Sequence, residues 1–209
     1  MSSRSGRFIV LEGPDRSGKS TQAALLVKAL RGRGLPVVHT REPGGTSFAE
    51  AIRRVVLDPA HTVQPVAELL LYEAARAQHT EELLRPALEK GASVVCERYT
   101  LATLAYQGAG RGLDVALIRR LNRIATGGLV PDLTVVLDVP DREFHKRQIG
   151  PADRLELESR DFRGRVRAGY RRFAKSEPKT ALVDATRTVD LVHAAIWERV
   201  ERVLPRVLA

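Results

Sequence analysis

Residues 13–20, GPDRSGKS, have the types and spacing that bind a triphosphate. They fit the pattern Gly-x-x-x-x-Gly-Lys-[Ser/Thr]. The glycines let successive backbone N–H groups turn toward phosphate oxygens, because no side chain blocks their approach. Lys19 then carries a positive charge to the β and γ phosphates, and Ser20 offers a hydroxyl to Mg²⁺. The segment therefore predicts a site for a magnesium–nucleotide complex.

The elements around this segment predict an α/β fold. A short apolar run precedes the glycines and reads as a buried strand, and helical periodicity follows them. Strands are predicted at 8–11, 36–39, 93–96, 133–139 and 180–183. Helices are predicted at 19–32, 46–57, 65–90 with a break near Pro86, 100–107, 114–126, 141–148, 159–175 and 188–204. This alternation indicates a doubly wound five-stranded parallel sheet of the P-loop NTPase type, flanked by helices, with sites at the carboxyl ends of the strands.

Length and composition limit the function classes. The 209 residues suit a single domain, 1–209. The net charge of +9 would suit a nucleic-acid partner. However, the basic residues are spread among acidic ones, and few aromatic residues could stack on bases, so no nucleic-acid partner is expected. No apolar segment is long enough to cross a membrane. The single cysteine, Cys96, lies in an apolar run without a partner, which favours a cytoplasmic protein.

Further motifs lie at and between the other predicted strands. They are TREPGGT at 40–46, Tyr72-x-x-x-Arg76, ERY at 97–99, LATLAYQGAGRG at 101–112 and PDLTVVLDV at 131–139. In this order they resemble the thymidylate kinases, which phosphorylate dTMP to dTDP for dTTP synthesis. The resemblance runs from about residue 8 to residue 185. It implies ATP as phosphoryl donor, dTMP as acceptor, Mg²⁺ as cofactor and a homodimer.

The resemblance also implies an acceptor site. Arg98 and Arg53 would hold the dTMP phosphate through charge-assisted hydrogen bonds. Tyr72 would stack on thymine and Arg76 would contact its carbonyl edge, and their i, i+4 spacing puts both on one helix face. Tyr106 would crowd the 2′ position of the sugar. The full implied dTMP site is Asp15, Pro43, Arg53, Tyr72, Arg76, Arg98, Thr103, Tyr106 and Gln107.

A donor site and a lid are implied in the same way. A lid over ATP is expected at about 142–158, and its tip, 148–152, contains no basic residue. We therefore assign the transition-state arginine to Arg16 of the P-loop rather than to Arg147 or Arg154 beside the tip; the alternative is that Arg16 points to solvent. The catalytic set is Lys19, Arg16, Arg98 and Glu97, and the metal site is Ser20 and Glu97. The implied ATP site is Gly13, Pro14, Asp15, Arg16, Ser17, Gly18, Lys19, Ser20, Thr21, Arg147 and Arg187, the last two being equally well explained as solvated arginines.

Two positions depart from the family pattern. Glu97 stands where an aspartate is usual, and Ala102 where a serine is common. These departures leave two alternatives open: a kinase for another or modified deoxypyrimidine monophosphate, and a non-catalytic nucleotide-binding regulator. The presence of Arg98, Arg76 and Gln107 argues against the regulator, because it would not need an acceptor site.

Overall fold

A five-stranded, all-parallel sheet forms the centre of the protein. The computed structural model describes residues 6–147 and 150–204, and the sheet has the order β2-β3-β1-β4-β5. Every residue of β1 is buried, because helices cover both faces of the sheet. The predicted fold class and each predicted strand are confirmed, with ends shifted by a few residues. The strands are β1 (Phe8–Glu12), β2 (Val37–Arg41), β3 (Ser93–Glu97), β4 (Leu133–Asp138) and β5 (Thr180–Asp184).

Helices connect the strands, and two of them widen into π-helical turns. The predicted break near Pro86 is wrong, since the chain stays helical from α3 through the π-helical segment Thr80–Leu84 into α4. Pro86 lies in the first turn of α4, and the wider turn before it leaves room for its ring. The helices are α1 (Lys19–Gly32), α2 (Ser47–Leu57), α3 (Pro65–His79), α4 (Arg85–Glu89), α5 (Thr100–Thr103), α6 (Val115–Ala125), α7 (Arg142–Lys146), α8 (Arg160–Ser176) and α9 (Val189–Glu201).

The second π-helical segment, Leu104–Gly110, continues α5 where the sequence predicts an ordinary helix at 100–107. It carries several of the predicted acceptor residues, and π-helical turns recur at functional sites. The helix predicted at 141–148 is observed as the shorter segment Arg142–Lys146, and its predicted last residue, 148, lies outside the described residues.

Apolar side chains fill both sides of the sheet. On one side α1 and α9 cover the sheet, with Leu26 and Ile196 fully buried. On the other side α3, the Leu104–Gly110 segment and α8 pack together. The helical stripe Phe162, Val166, Tyr170 and Phe173 belongs to this second cluster, as its spacing predicts. Because β1 and β3 are paired in parallel, their carboxyl ends lie at the same edge of the sheet, where the candidate site lies.

Candidate active site

The P-loop joins β1 to α1 and has positive φ angles at three of its residues. Gly13, Arg16 and Gly18 all have positive φ angles, at 138°, 60° and 94°. A Cβ atom on Gly13 would lie 2.4 Å from the Leu137 carbonyl oxygen, so only glycine fits there. The loop ends at the N-terminus of α1, whose free N–H groups and dipole favour an anion.

Lys19 is folded back onto its own loop. Its Nζ donates to the carbonyl oxygens of Pro14, at 2.7 Å, and Gly13, at 3.1 Å. Burial, and after it the positive charge of Arg98, lowers the pKa of Lys19 to about 7. An anion in the adjacent groove would favour the charged ammonium.

An open groove runs along one side of the P-loop, and we call it the donor groove. Arg147 and Arg187 line it together with residues of the P-loop, as the ATP-site prediction requires. Gly13, Pro14 and Asp15 do not border this groove. Gln22, Lys146 and Glu156 border it without having been predicted. The residues that line it are Arg16, Ser17, Gly18, Lys19, Ser20, Thr21, Gln22, Lys146, Arg147, Glu156, Ala185, Arg187, Val189 and Val192.

Ser20 and Glu97, the predicted metal ligands, meet at the end of β3. The Ser20 hydroxyl donates to Glu97 Oε2 at 2.6 Å, and the other carboxylate oxygen lies 3.1 Å from His39 Nε2. Two hard oxygen donors side by side suit Mg²⁺, which takes its remaining ligands from water and phosphate. Within residues 6–147 and 150–204, no group of three or more acidic, His or Cys side chains could form a metal site by itself.

Arg16 is held by the segment predicted to form the lid and does not point to solvent. One guanidinium nitrogen donates to the Phe144 carbonyl oxygen at 3.1 Å, and another forms an ion pair with Glu156 at 2.8 Å. The guanidinium also lies over the Phe144 ring, 4.0 Å from its centre. The exposed fraction of the Arg16 side chain is only 7%. Arg16 borders the donor groove, and its charge is neutralised by the carboxylate of Glu156.

A second hollow, the acceptor cavity, opens on the other side of the P-loop. Asp15 faces this cavity, whereas the next residue, Arg16, faces the donor groove. All of the predicted dTMP-site residues except Arg76 line the cavity. The lining residues are Asp15, Glu42, Pro43, Arg53, Leu57, Tyr72, Arg98, Ala102, Thr103, Tyr106, Gln107, Asp153 and Leu155.

Arg98 is the most highly bonded side chain of the cavity. Its guanidinium donates to the Gly13 carbonyl oxygen at 2.9 Å, to the hydroxyls of Tyr170 and Tyr106 at 3.0 and 3.1 Å, and to Asp15. Tyr106 in turn donates to Asp15 at 2.7 Å. Burial alone would raise the pKa of the Asp15 carboxyl, but the charges of Arg98 and Lys19 lower it below its ordinary value. Asp15 therefore orients the arginine as an ionised carboxylate.

Glu12, which was not predicted as a site residue, lies beside the hydrogen-bonded network of Arg98 and holds part of it in place. It is fully buried and accepts the backbone N–H groups of Tyr99 and Ala102 at 2.7 and 3.1 Å. Its second oxygen accepts the Tyr170 hydroxyl at 2.9 Å. Burial raises the pKa of this carboxyl. A glutamate at the end of an otherwise apolar strand is the sequence signal that could have revealed it, since a buried carboxylate needs partners.

Arg76 lies behind the cavity wall. It is 1% exposed, and its guanidinium donates to Glu42 at 2.8 Å, to Glu73 at 2.9 Å and to the Tyr99 carbonyl oxygen at 2.9 Å. A further bond at 3.3 Å reaches Thr103, which does line the cavity. Arg76 therefore supports the wall in this conformation, and its predicted contact with an acceptor base stays a prediction.

The remaining cavity residues are also held by neighbours. Arg53 donates to the Pro43 carbonyl oxygen at 3.0 Å, and Gln107 donates to Glu68 at 2.8 Å. Tyr72 is 9% exposed and presents its ring to the cavity.

The segment after the lid tip is anchored on the acceptor side. The Arg154 backbone N–H donates to the Leu57 carbonyl oxygen at 3.0 Å, and its Nε to the Val56 carbonyl oxygen at 2.8 Å. The same guanidinium forms an ion pair with Glu68 at 2.7 Å. Arg154 therefore faces away from the donor groove. Two residues of the predicted tip, Gln148 and Ile149, lie outside the described residues.

None of the helices in the described part of the chain combines the length and apolar character needed to cross a bilayer.

Comparisons with known proteins all point to one family. The thymidylate kinase family profile matches residues 11–196. Thymidylate kinases of Deinococcus radiodurans and Pelotomaculum thermopropionicum are 50% and 47% identical, over 93% and 95% of this chain and 96% and 94% of theirs. The crystal structure of a thymidylate kinase from Ehrlichia chaffeensis superposes with a TM-score of 0.76 at 32% identity, and covers 93% of this chain and 98% of that one.

Proposed function

Since the chain belongs to the thymidylate kinase family, we propose that its two facing sites serve the two nucleotides of that family's reaction. The enzyme transfers the γ-phosphoryl group of ATP to dTMP and yields ADP and dTDP. ATP occupies the donor groove, with its phosphates in the P-loop, and dTMP occupies the acceptor cavity. The observation that carries this assignment is the division of the P-loop, with Asp15 in the cavity and Arg16 to Thr21 along the groove.

Catalysis then consists of positioning and charge neutralisation. The dTMP phosphate is already a nucleophile, so an in-line transfer needs no general base and no covalent enzyme intermediate. Lys19 and Arg98 lie on the two sides of the transferred group and neutralise the charge that the two nucleotides bring together. Asp15 and Tyr106 fix the Arg98 guanidinium, because both bond to it directly.

Arg16 supplies the further positive charge at the transition state. In the free protein this charge is neutralised by Glu156, at 2.8 Å. The triphosphate replaces that carboxylate as the partner of the guanidinium, which turns from the lid toward the bridge between the β and γ phosphates. Arg147 and Arg187, which also line the groove, flank the nucleotide base and ribose.

The acceptor residues divide between phosphate, sugar and base. Arg53 and Arg98 hold the dTMP phosphate, and Tyr106 restricts the 2′ position of the sugar. Tyr72 stacks on thymine, while Thr103 and Gln107 line the base end of the cavity. Arg76 would contact the thymine carbonyl edge from behind Thr103, to which it donates at 3.3 Å.

Ser20 and Glu97, whose oxygen atoms lie 2.6 Å apart, would hold Mg²⁺. When bound, the ion supplies positive charge to the donor phosphates. Glu97 also contacts His39, so its carboxylate is fixed at both oxygens before a nucleotide arrives.

The enzyme acts as one domain, 1–209, with a lid at about 142–158, and as a cytoplasmic homodimer without nucleic-acid or membrane partners. The free, buried thiol of Cys96 suits a reducing compartment. The adjacent helices α2, α3 and α6 carry exposed apolar side chains that a second copy would cover: Phe48, Val55, Val66, Leu70, Leu117 and Ile124. Light scattering on purified enzyme tests the dimer, and a monomer at micromolar concentration would rule it out.

A coupled ADP-release assay over dTMP, dUMP, dCMP, dGMP and UMP tests the function. We expect dTMP to have the highest kcat/KM. A preference for another deoxypyrimidine monophosphate would favour the alternative kinase, which Ala102 and Glu97 would permit. ATP binding without turnover of any acceptor would favour the non-catalytic regulator.

A further inference from the structure

Glu68 is a buried carboxylate to which the proposed mechanism gives no role. It lies in the first turn of α3 and is fully buried. Its Oε1 accepts hydrogen bonds from Gln107 Nε2 at 2.8 Å and from Arg111 Nε at 3.2 Å. Its Oε2 accepts Arg111 at 3.0 Å and is paired with Arg154 at 2.7 Å. Two guanidinium groups on one carboxylate keep it ionised, despite its burial.

An ionised carboxylate only accepts hydrogen bonds. The Gln107 atom that faces Glu68 must therefore be the amide nitrogen, because a carbonyl oxygen there would be repelled. This chemistry fixes which way the amide points, which the shape of the side chain alone would not. The carbonyl oxygen, Oε1, is left on the other side, and it accepts no hydrogen bond within residues 6–147 and 150–204.

Gln107 lines the acceptor cavity, as do Thr103 and Tyr72. A fixed Oε1 offers the base a hydrogen-bond acceptor. Thymine and uracil carry a donor, N3–H, between two carbonyl groups, whereas cytosine has an unprotonated N3 and an amino group at C4. A freely rotating amide would serve either base, but an amide locked with its oxygen inward serves the imide only.

We propose that Glu68 is a specificity-determining positioning residue: it locks the Gln107 amide so that its oxygen accepts the N3–H of an imide base and rejects cytosine. The inference rests on the proposed placement of dTMP in the acceptor cavity. Glu68 does not touch the nucleotide, and it acts through Gln107 alone.

The test compares dTMP with 5-methyl-dCMP, which differs only at N3 and C4 of the base. Calorimetric titration of each into ATP-free enzyme measures binding without donor or metal. Wild type is expected to bind dTMP at least about tenfold more tightly, since a site built for one hydrogen-bonding pattern rejects the other. In Glu68→Gln, whose amide can donate to Gln107 as well as accept from it, this ratio falls by about tenfold.

Arg111→Gln is the matched control. It removes a partner of Glu68 but keeps the bond between Glu68 and Gln107, so the ratio of the two affinities stays within about twofold of wild type. Equal weakening of both nucleotides in Glu68→Gln would show a purely structural role and overturn the inference. If Glu68→Gln does not fold, Glu68→Asp withdraws the carboxylate by one methylene and should lower the ratio in the same way.

The wild-type arm keeps the test decisive. Equal affinity of wild type for dTMP and 5-methyl-dCMP would overturn the inference without any variant. Failure of wild type to turn over dTMP in the ADP-release assay would instead overturn the proposed function. Turnover of dTMP together with an unchanged ratio in Glu68→Gln would remove the inference and leave the function intact.

Discussion

The donor groove and the acceptor cavity share the P-loop but differ in how their side chains are held. In the cavity, Arg98, Gln107 and Asp15 have partners that a bound nucleotide need not displace. In the groove, Lys19 and Arg16 bond to protein oxygens that a triphosphate would have to replace. We infer that the acceptor site is preformed, whereas the donor site becomes active by exchanging partners. Selectivity then resides in the rigid half and rate in the half that rearranges.

The largest effect is expected from Lys19→Ala in the donor groove. Loss of its charge should lower kcat by about 10³-fold, roughly 4 kcal/mol, with the fold nearly unchanged. Steady-state kinetics at saturating substrates measure this loss. Lys28→Ala, on an exposed face of the same helix, is the control and should be silent. Activity within about threefold of wild type for Lys19→Ala would remove the P-loop from the mechanism.

Arg76→Ala tests whether the acceptor half is rigid because of its buried ion pairs. The substitution leaves Glu42 and Glu73 buried without their cation, which should cost about 3 kcal/mol of unfolding free energy. Urea denaturation measures the loss, with Arg54→Ala, an exposed arginine of α2, as the control. KM for dTMP should also rise more than KM for ATP. Unchanged stability, or equal effects on both KM values, would contradict the role of Arg76 in holding the wall of the acceptor cavity.

Arg16→Gly sharpens the comparison on the donor side. Arg16 has a φ of 60°, so glycine adopts the same backbone without strain, and the effect reports the side chain. We expect kcat to fall by about 10- to 100-fold, as for a lost hydrogen bond to a charged group, with dTMP affinity less affected. Arg147→Ala and Arg154→Ala should each cost less. If either is the more damaging change, the transition-state role does not belong to Arg16.

Glu97→Asp should have the smallest effect. Glu97 contacts Ser20 and His39 with its two oxygens, and a side chain shorter by one methylene keeps only one of these contacts. The Mg²⁺ concentration for half-maximal rate should rise, while kcat at saturating Mg²⁺ stays within about threefold, or roughly 0.7 kcal/mol. His39→Gln is the matched variant. A loss of kcat that excess Mg²⁺ does not restore would show that the reacting groups themselves had moved.

The two halves also differ in how far the sequence predicted them. The donor loop is contiguous, and its chemistry follows from the local spacing of Gly13, Gly18, Lys19 and Ser20. The cavity draws on several elements, so residues such as Tyr72 could be assigned only through resemblance to a family. Glu68 and Glu156 were missed, because a lone glutamate outside a strand gives no signal of burial or of its partner in sequence. Glu12 was missed although its place at the end of an apolar strand is such a signal. The continuous helix through Pro86 was missed because a π-helical turn leaves no clear pattern in one sequence.

The most direct test of a preformed acceptor cavity is the affinity of dTMP for nucleotide-free enzyme. Titration with dTMP alone, and again with a saturating non-hydrolysable ATP analogue, compares the cavity before and after the donor groove is filled. We predict that dTMP binds to the nucleotide-free enzyme, with a Kd within about threefold of the Kd measured with the ATP analogue bound. Binding of dTMP only after the analogue has bound would contradict it, since the cavity would then be assembled by the donor.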